Sequence, residues 1–153
     1  IDTRFNGGGR LHEDIEILFS GKKYFTQVVR GREACDMPSR RWNKPSIMVT
    51  CEANYSNAHG TPWVYQHQGI GKVVGMPVPG TMTSVSWETL QDPTLYFGIP
   101  IVGYRLPDGS YLENKQLEPD VKIANSPEKI IKGEDEQLKT AVKELLKEID
   151  SKK

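Results

Sequence analysis

Ser56 has the type and the setting of a nucleophile. Residues 46–51, SIMVTC, form a short apolar run rich in Val, Ile and Thr and read as a buried strand. Residues 62–68 are predicted to be helical, with a stop at Gly69. A serine on the turn between them is lifted off the sheet, beside the N–H groups that open the helix. Those groups carry partial positive charge and suit a developing oxyanion. The same position is also an ordinary helix N-cap, and the stretch taken alone favours that use. Ser56 does not stand in a G-x-S-x-G frame. A second strand–glycine–helix unit opens the chain. Residues 1–5 read as a strand, Asn6, Gly7, Gly8 and Gly9 follow, and Leu11, Ile15, Leu18 and Phe19 then fall at helical spacing up to Gly21. Glycines in a row can aim backbone N–H groups at a ligand or an oxyanion, or simply make a tight turn.

Other chemistries find less support. No Gly-Lys-Ser/Thr follows the first glycines, so they are not a phosphate loop. Residues 69–75, GIGKVVG, imitate a dinucleotide fingerprint, but the third glycine is one place late and no strand precedes them. His12, His59 and His67 are too scattered to imply a metal site, and no cofactor is expected. Cys35 and Cys51 match no metal pattern and read as two separate thiols, with a disulfide as the alternative. With 20 basic and 20 acidic residues, nothing points to nucleic acid or an anionic membrane. At 37% hydrophobic residues the chain can build a core but has no apolar run that would span a bilayer.

The elements that must hold these residues alternate between strand and helix, which argues for α/β architecture in one domain over residues 1–153. Residues 24–30 alternate as a strand, and residues 31–44, rich in Arg and Pro, read as a solvated loop. Pro62 poses a difficulty: a helix begun at Asn57 would contain it, so the expectation is a start near Thr61 or a kink. Trp63, Val64 and His67 then share the packed face. Strands are expected at Val73 and Val74, over residues 84–88, and over residues 95–104, where Pro100 implies an edge strand or two pieces. Pro107-Asp108-Gly109 is a turn, Tyr111 and Leu112 a short strand, and residues 121–123 a last strand. Residues 134–149 form an amphipathic helix with Leu138, Val142, Leu145 and Ile149 as its apolar stripe.

Taken in order, IDTRFNGGG, ANYSNAHG, GKVVGMPVPGT, DGSYLENKQLEPDV and GEDEQLKTAVKEL resemble the catalytic core of the tricorn-like branch of the carboxy-terminal processing serine peptidases. The likeness covers nearly the whole chain. It implies a Clp-protease/crotonase-like α/β core, with a mixed β-sheet flanked by helices and a C-terminal amphipathic helix. It implies Ser56 as nucleophile, the N–H of Asn57 as one oxyanion donor and Gly7 or Gly8 as the other. Glu113 would orient the base through an intervening serine. The lysine base of the wider family is replaced here by Pro79-Gly80-Thr81, which implies the histidine-using branch. That histidine, beside a serine, lies upstream of the Asp-x-Arg-x-Asn-Gly-Gly strand with which this chain begins.

The resemblance therefore implies a C-terminal fragment of a longer serine endopeptidase acting on unfolded or partly degraded peptides, inactive by itself and prone to self-associate or to dock with the missing N-terminal part. Cellular compartment stays open. Two alternatives stand beside it: a non-catalytic peptide-binding scaffold, and a crotonase-like acyl-CoA enzyme on the same core. His59 stands three residues after Ser56 and is expected to line the helix start, His67 to pack, and His12 to lie at the surface.

Overall fold

Four consecutive buried residues, Ile47–Thr50, make β3, the strand on which the rest is assembled. In the computed structural model, which describes residues 1–151, β3 pairs in parallel with β4 (Lys72–Gly75), and β4 pairs in parallel with β7 (Val121–Lys122). Residues 1–3 run along the other edge of β3: Asp2 bridges Val49, Thr3 N–H donates to Val49 O at 2.9 Å, and Val49 N–H donates to Ile1 O at 2.8 Å. Side chains alternate across this sheet, as the two-residue period of a strand demands. Ile47, Val49 and Val74 face Ala141 and Leu145 of α4 (Glu136–Ser151). Met48 and Val73 face Tyr65 of α2 (Asn57–His67), with Ile15 of α1 (His12–Ser20) packed behind. The continuous apolar run is thereby explained: both faces of the sheet are covered.

Two antiparallel hairpins leave this core. One joins β1 (Phe25–Val29) to β2 (Arg32–Met37), the other β5 (Ser84–Thr89) to β6 (Tyr96–Val102). Beyond these arms, buried Val78 and Leu117 form an isolated antiparallel bridge. Both arms expose large apolar side chains, among them Phe25, Trp87, Tyr96 and Ile101. A short helix, α3 (Pro127–Ile130), precedes α4. Arg4 pairs with Asp2 within the first segment and with Asp135 just before α4, both at 2.7 Å, and donates to Gln137 Oε1 of α4 at 3.2 Å.

Several sequence expectations are corrected. Residues 31–44 are not all loop, because β2 lies within them; Arg30 and Gly31, both at positive φ, turn the chain back on itself. Of the two readings at Pro100 the edge strand holds and the two pieces do not: β6 runs through it unbroken on a two-stranded arm. Tyr111 makes only an isolated bridge with Arg105. On α4 the packed face is Gln137, Ala141 and Leu145, whereas Leu138 and Val142 are exposed. Cys35 is exposed and Cys51 buried, and both are free.

Helix α2 begins at Asn57 and contains Pro62. The proline removes the N–H that Ala58 O would have accepted. The side chain of buried Asn54 replaces it, donating Nδ2–H to Ala58 O at 3.3 Å. The buried face of this helix carries Ala58, Thr61, Pro62 and Tyr65, while His67 is exposed and stacks on Trp63 with ring centroids 3.7 Å apart. The expected face of Trp63, Val64 and His67 is one step off.

Candidate active site

The turn that carries Ser56 is built by Asn54. Its backbone N–H donates to Cys51 O at 3.1 Å, and its side chain reaches Thr3 Oγ1 at 3.1 Å as well as Ala58 O. This holds the end of β3 and the start of α2 in one tight corner. Ser56 follows at φ 55° and ψ −124°, in a region of backbone space that costs a non-glycine residue about 1–3 kcal/mol. It makes no side-chain cap to the helix. Ser56 thus stands at the N-cap position, as one reading of the sequence had it, but its hydroxyl is not spent on the helix.

Against this turn lies the glycine loop. Tyr55 N–H donates to Asn6 O at 3.0 Å. Gly8 takes φ 110°, and a Cβ added there would stand 2.7 Å from Ser56 Cβ and 3.2 Å from Asn57 N. Only glycine permits so close an approach at this φ. Asn57 opens α2, so its N–H has no acceptor inside the helix. Gly8 N–H donates to Asn6 Oδ1 at 2.8 Å, while a Cβ on Gly7 would meet open space. The two sequence-distant stretches thus meet at Ser56, where Asn57 opens the helix and Gly8 makes the close approach.

A third segment joins them. Ser56 N–H donates to Thr81 Oγ1 at 3.1 Å, and two residues on Thr83 N–H donates to Glu113 Oε2 at 2.7 Å. Asn114 N–H returns a bond to Gly80 O at 2.9 Å, where a Cβ on Gly80 would press to 2.3 Å from Lys115 N. Glu113 is therefore locked to the same loop that touches Ser56. Partial burial opposes its ionisation, but the Thr83 and Met82 backbone bonds, the Thr83 side chain and neighbouring His59 outweigh burial and hold the carboxyl below its usual range.

The three histidines are placed differently from one another. His59 is 0% exposed, and neither ring nitrogen has a hydrogen-bond partner of normal geometry. Burial lowers its pKa; the Lys115 backbone and the Glu113 carboxylate push the other way without prevailing. His12 is half-buried, with Nδ1 2.7 Å from Asn57 Nδ2. His67 Nδ1 lies 2.9 Å from Trp63 O, four residues back. Asn54, Thr81 and Thr83 escaped sequence reasoning. The only signal was the Pro79-Gly80-Thr81 run, noticed for the lysine it lacks. A cleft of about 630 Å³ opens at the ends of β3 and β4, lined by Arg4, Glu52, Met76 and Ile130 among others, but Ser56 and Glu113 do not line it.

Residues 1–123, which contain Ser56, Thr81, Glu113 and the three histidines, match the model of peptidase family S41. The chain belongs to peptidase family S41. Within it, this S41 chain is 25% identical over 157 residues to the "Putative Tricorn-like protease C-terminal subunit" of Sulfurisphaera tokodaii, covering 99% of this chain and 18% of that protein. It is 25% identical over 150 residues to the tricorn protease of Thermoplasma acidophilum, covering 97% of this chain and 14% of that one. The crystal structure of the tricorn protease shares the fold at a TM-score of 0.84 and 23% identity, over 97% of this chain and 15% of that chain. The S41 chain thus spans less than a fifth of the length of these relatives. Its α/β fold is that of the tricorn-like carboxy-terminal processing peptidases.

Proposed function

We propose that this S41 chain is the catalytic core of a serine endopeptidase that cleaves unfolded or partly degraded peptides through a serine acyl-enzyme. Ser56 is the nucleophile. The observation that carries this is its strained backbone at the head of α2, with Gly8 pressed against it. In the reaction, Ser56 Oγ attacks the scissile carbonyl carbon and its proton passes to a histidine base. The carbonyl oxygen becomes an oxyanion, which the N–H of Asn57 and that of Gly7 or Gly8 stabilise, the Gly8 N–H only once it leaves Asn6 Oδ1. Collapse breaks the C–N bond, the proton goes to the leaving amine, and water then releases the acyl group from Ser56. Glu113 orients the base and transfers no proton to substrate. Its lowered pKa suits that role, because it stays anionic at neutral pH.

The base comes from a segment of the longer peptidase outside these 153 residues. The positions of the local histidines support this: His59 is sealed in the core, His12 is engaged with Asn57, and His67 is stacked on Trp63. By itself this piece then hydrolyses no peptide at a useful rate, and the exposed apolar side chains of its two arms favour contact with further protein, its own copies included. Family membership favours the peptidase over the acyl-CoA reading. Treating the complete enzyme with a fluorophosphonate probe tests the assignment. The adduct is expected on Ser56 and activity is expected to vanish in Ser56→Ala. An adduct elsewhere, or full activity in that variant, refutes it, and a non-catalytic scaffold would take no label at all.

A further inference from the structure

The glycine loop is fastened to the nucleophile turn at both ends, and one fastening is a side chain. At the near end Asn6 O accepts Tyr55 N–H at 3.0 Å. At the far end Leu11 N–H donates to Asn57 Oδ1 at 2.9 Å. Between them Gly8 and Gly9 sit at φ 110° and 131°. Below the span lies a cavity of about 80 Å³, lined by Asn6, Gly8, Leu11, Asn57 and Thr61 among others. The cavity leaves part of the loop without packed side chains beneath it, so its height over α2 is set by its two ends and by the contact of Gly8 with Ser56.

We propose that the Asn57 side chain is a positioning residue that holds the glycine loop at the distance from Ser56 that the oxyanion pocket needs. This rests on the peptidase reading above. Leu11 N–H can only donate, so the side-chain oxygen of Asn57 must face it. The amide nitrogen then faces His12 Nδ1, which accepts at 2.7 Å, while the Thr61 hydroxyl donates to the backbone O of Asn57 at 2.8 Å and lies 3.3 Å from Oδ1. With both side-chain bonds made and only 4% of the residue exposed, water has little room to take over the clamp. One residue thus fixes both donors: its own N–H opens α2, and its side chain sets the loop that carries the other. A loop displaced by about 1 Å would misplace that donor in the transition state more than in the bound substrate.

The test is made in the complete peptidase, with peptide hydrolysis and amide hydrogen exchange at Leu11 as readouts. Asn57→Ala removes the clamp. Its kcat is expected to fall about ten- to hundredfold with KM within about threefold, less than the loss of a whole oxyanion donor. Leu11 exchange is expected to quicken by at least about tenfold. Asn57→Asp keeps an oxygen towards Leu11, and His12 can answer it as the Nδ1–H tautomer, so Leu11 exchange is expected to stay within about threefold of the parent and kcat to fall less than in Asn57→Ala. Leu11→Pro deletes the donor from the other side without touching α2, and is expected to match Asn57→Ala in kcat. Unchanged kcat or unchanged Leu11 exchange in Asn57→Ala overturns the proposal, as does equal impairment in Asn57→Ala and Asn57→Asp. Activity surviving in Ser56→Ala would instead defeat the peptidase reading, while the exchange measurement still decides the clamp.

Discussion

The backbone N–H of Ser56 donates to the hydroxyl of Thr81 across 3.1 Å, although 25 residues separate them. The bond fixes the residue with the most strained backbone of the turn to the loop that also holds Glu113. Thr81→Val keeps the shape and removes the acceptor. Leaving a part-buried N–H unpaired costs on the order of 1–3 kcal/mol. Part of that loss is expected as a lower melting temperature and part as a fall in kcat, with Thr81→Ser restoring both. A Thr81→Val enzyme equal to the parent in kcat and melting temperature would show that the bond holds nothing.

Glu113→Gln keeps an oxygen to accept Thr83 N–H but removes the charge. If Glu113 orients the base, turnover in the complete enzyme falls by roughly two to four orders of magnitude while the melting temperature changes little. Unchanged turnover in Glu113→Gln excludes the role.

His59 makes stability depend on pH. Its folded pKa lies below the ordinary value of 6.5, so the unfolded chain binds a proton more readily than the folded one. The sign follows: the contribution is complete above about pH 6.5 and is lost as pH falls towards the depressed folded value. One such group gives a slope of up to about 1.4 kcal/mol per pH unit in that window. His59→Gln, compared with the parent by denaturant unfolding between neutral and mildly acid pH, is expected to show a shallower slope. An identical slope in both proteins would mean that the ring is not the group responsible.

Helix α4 separates two leucines that look alike in sequence. Leu145 packs on the cluster of Ile47, Val49, Val74 and Ala141, whereas Leu138 is 47% exposed. Leu145→Ala is expected to cost about 2 kcal/mol, the low end for a buried leucine because the residue is only half-buried. Leu138→Ala is expected to stay within about 0.5 kcal/mol. Chemical denaturation measures both, and equal losses would contradict this orientation of the helix.

Much of the core was legible because it obeys local rules. The apolar run at residues 46–51 reads as a buried strand, and the strand–glycine–helix order placed Gly7, Gly8 and Ser56 on turns without any tertiary information. What the sequence by itself determined was therefore the α/β class, the turn bearing Ser56 and the order of motifs that marks the family. Only the tertiary structure decided which groups meet. Pro62 sits inside α2 because Asn54 supplies the missing hydrogen bond, Thr81 reaches Ser56, Thr83 anchors Glu113, and Leu145 rather than Leu138 packs on the sheet. The physical reason is common to the last three. Periodicity and capping act over a few residues, whereas these contacts depend on how separate segments are brought together around a sheet, and a hydrogen bond across such a distance leaves no local trace in the chain.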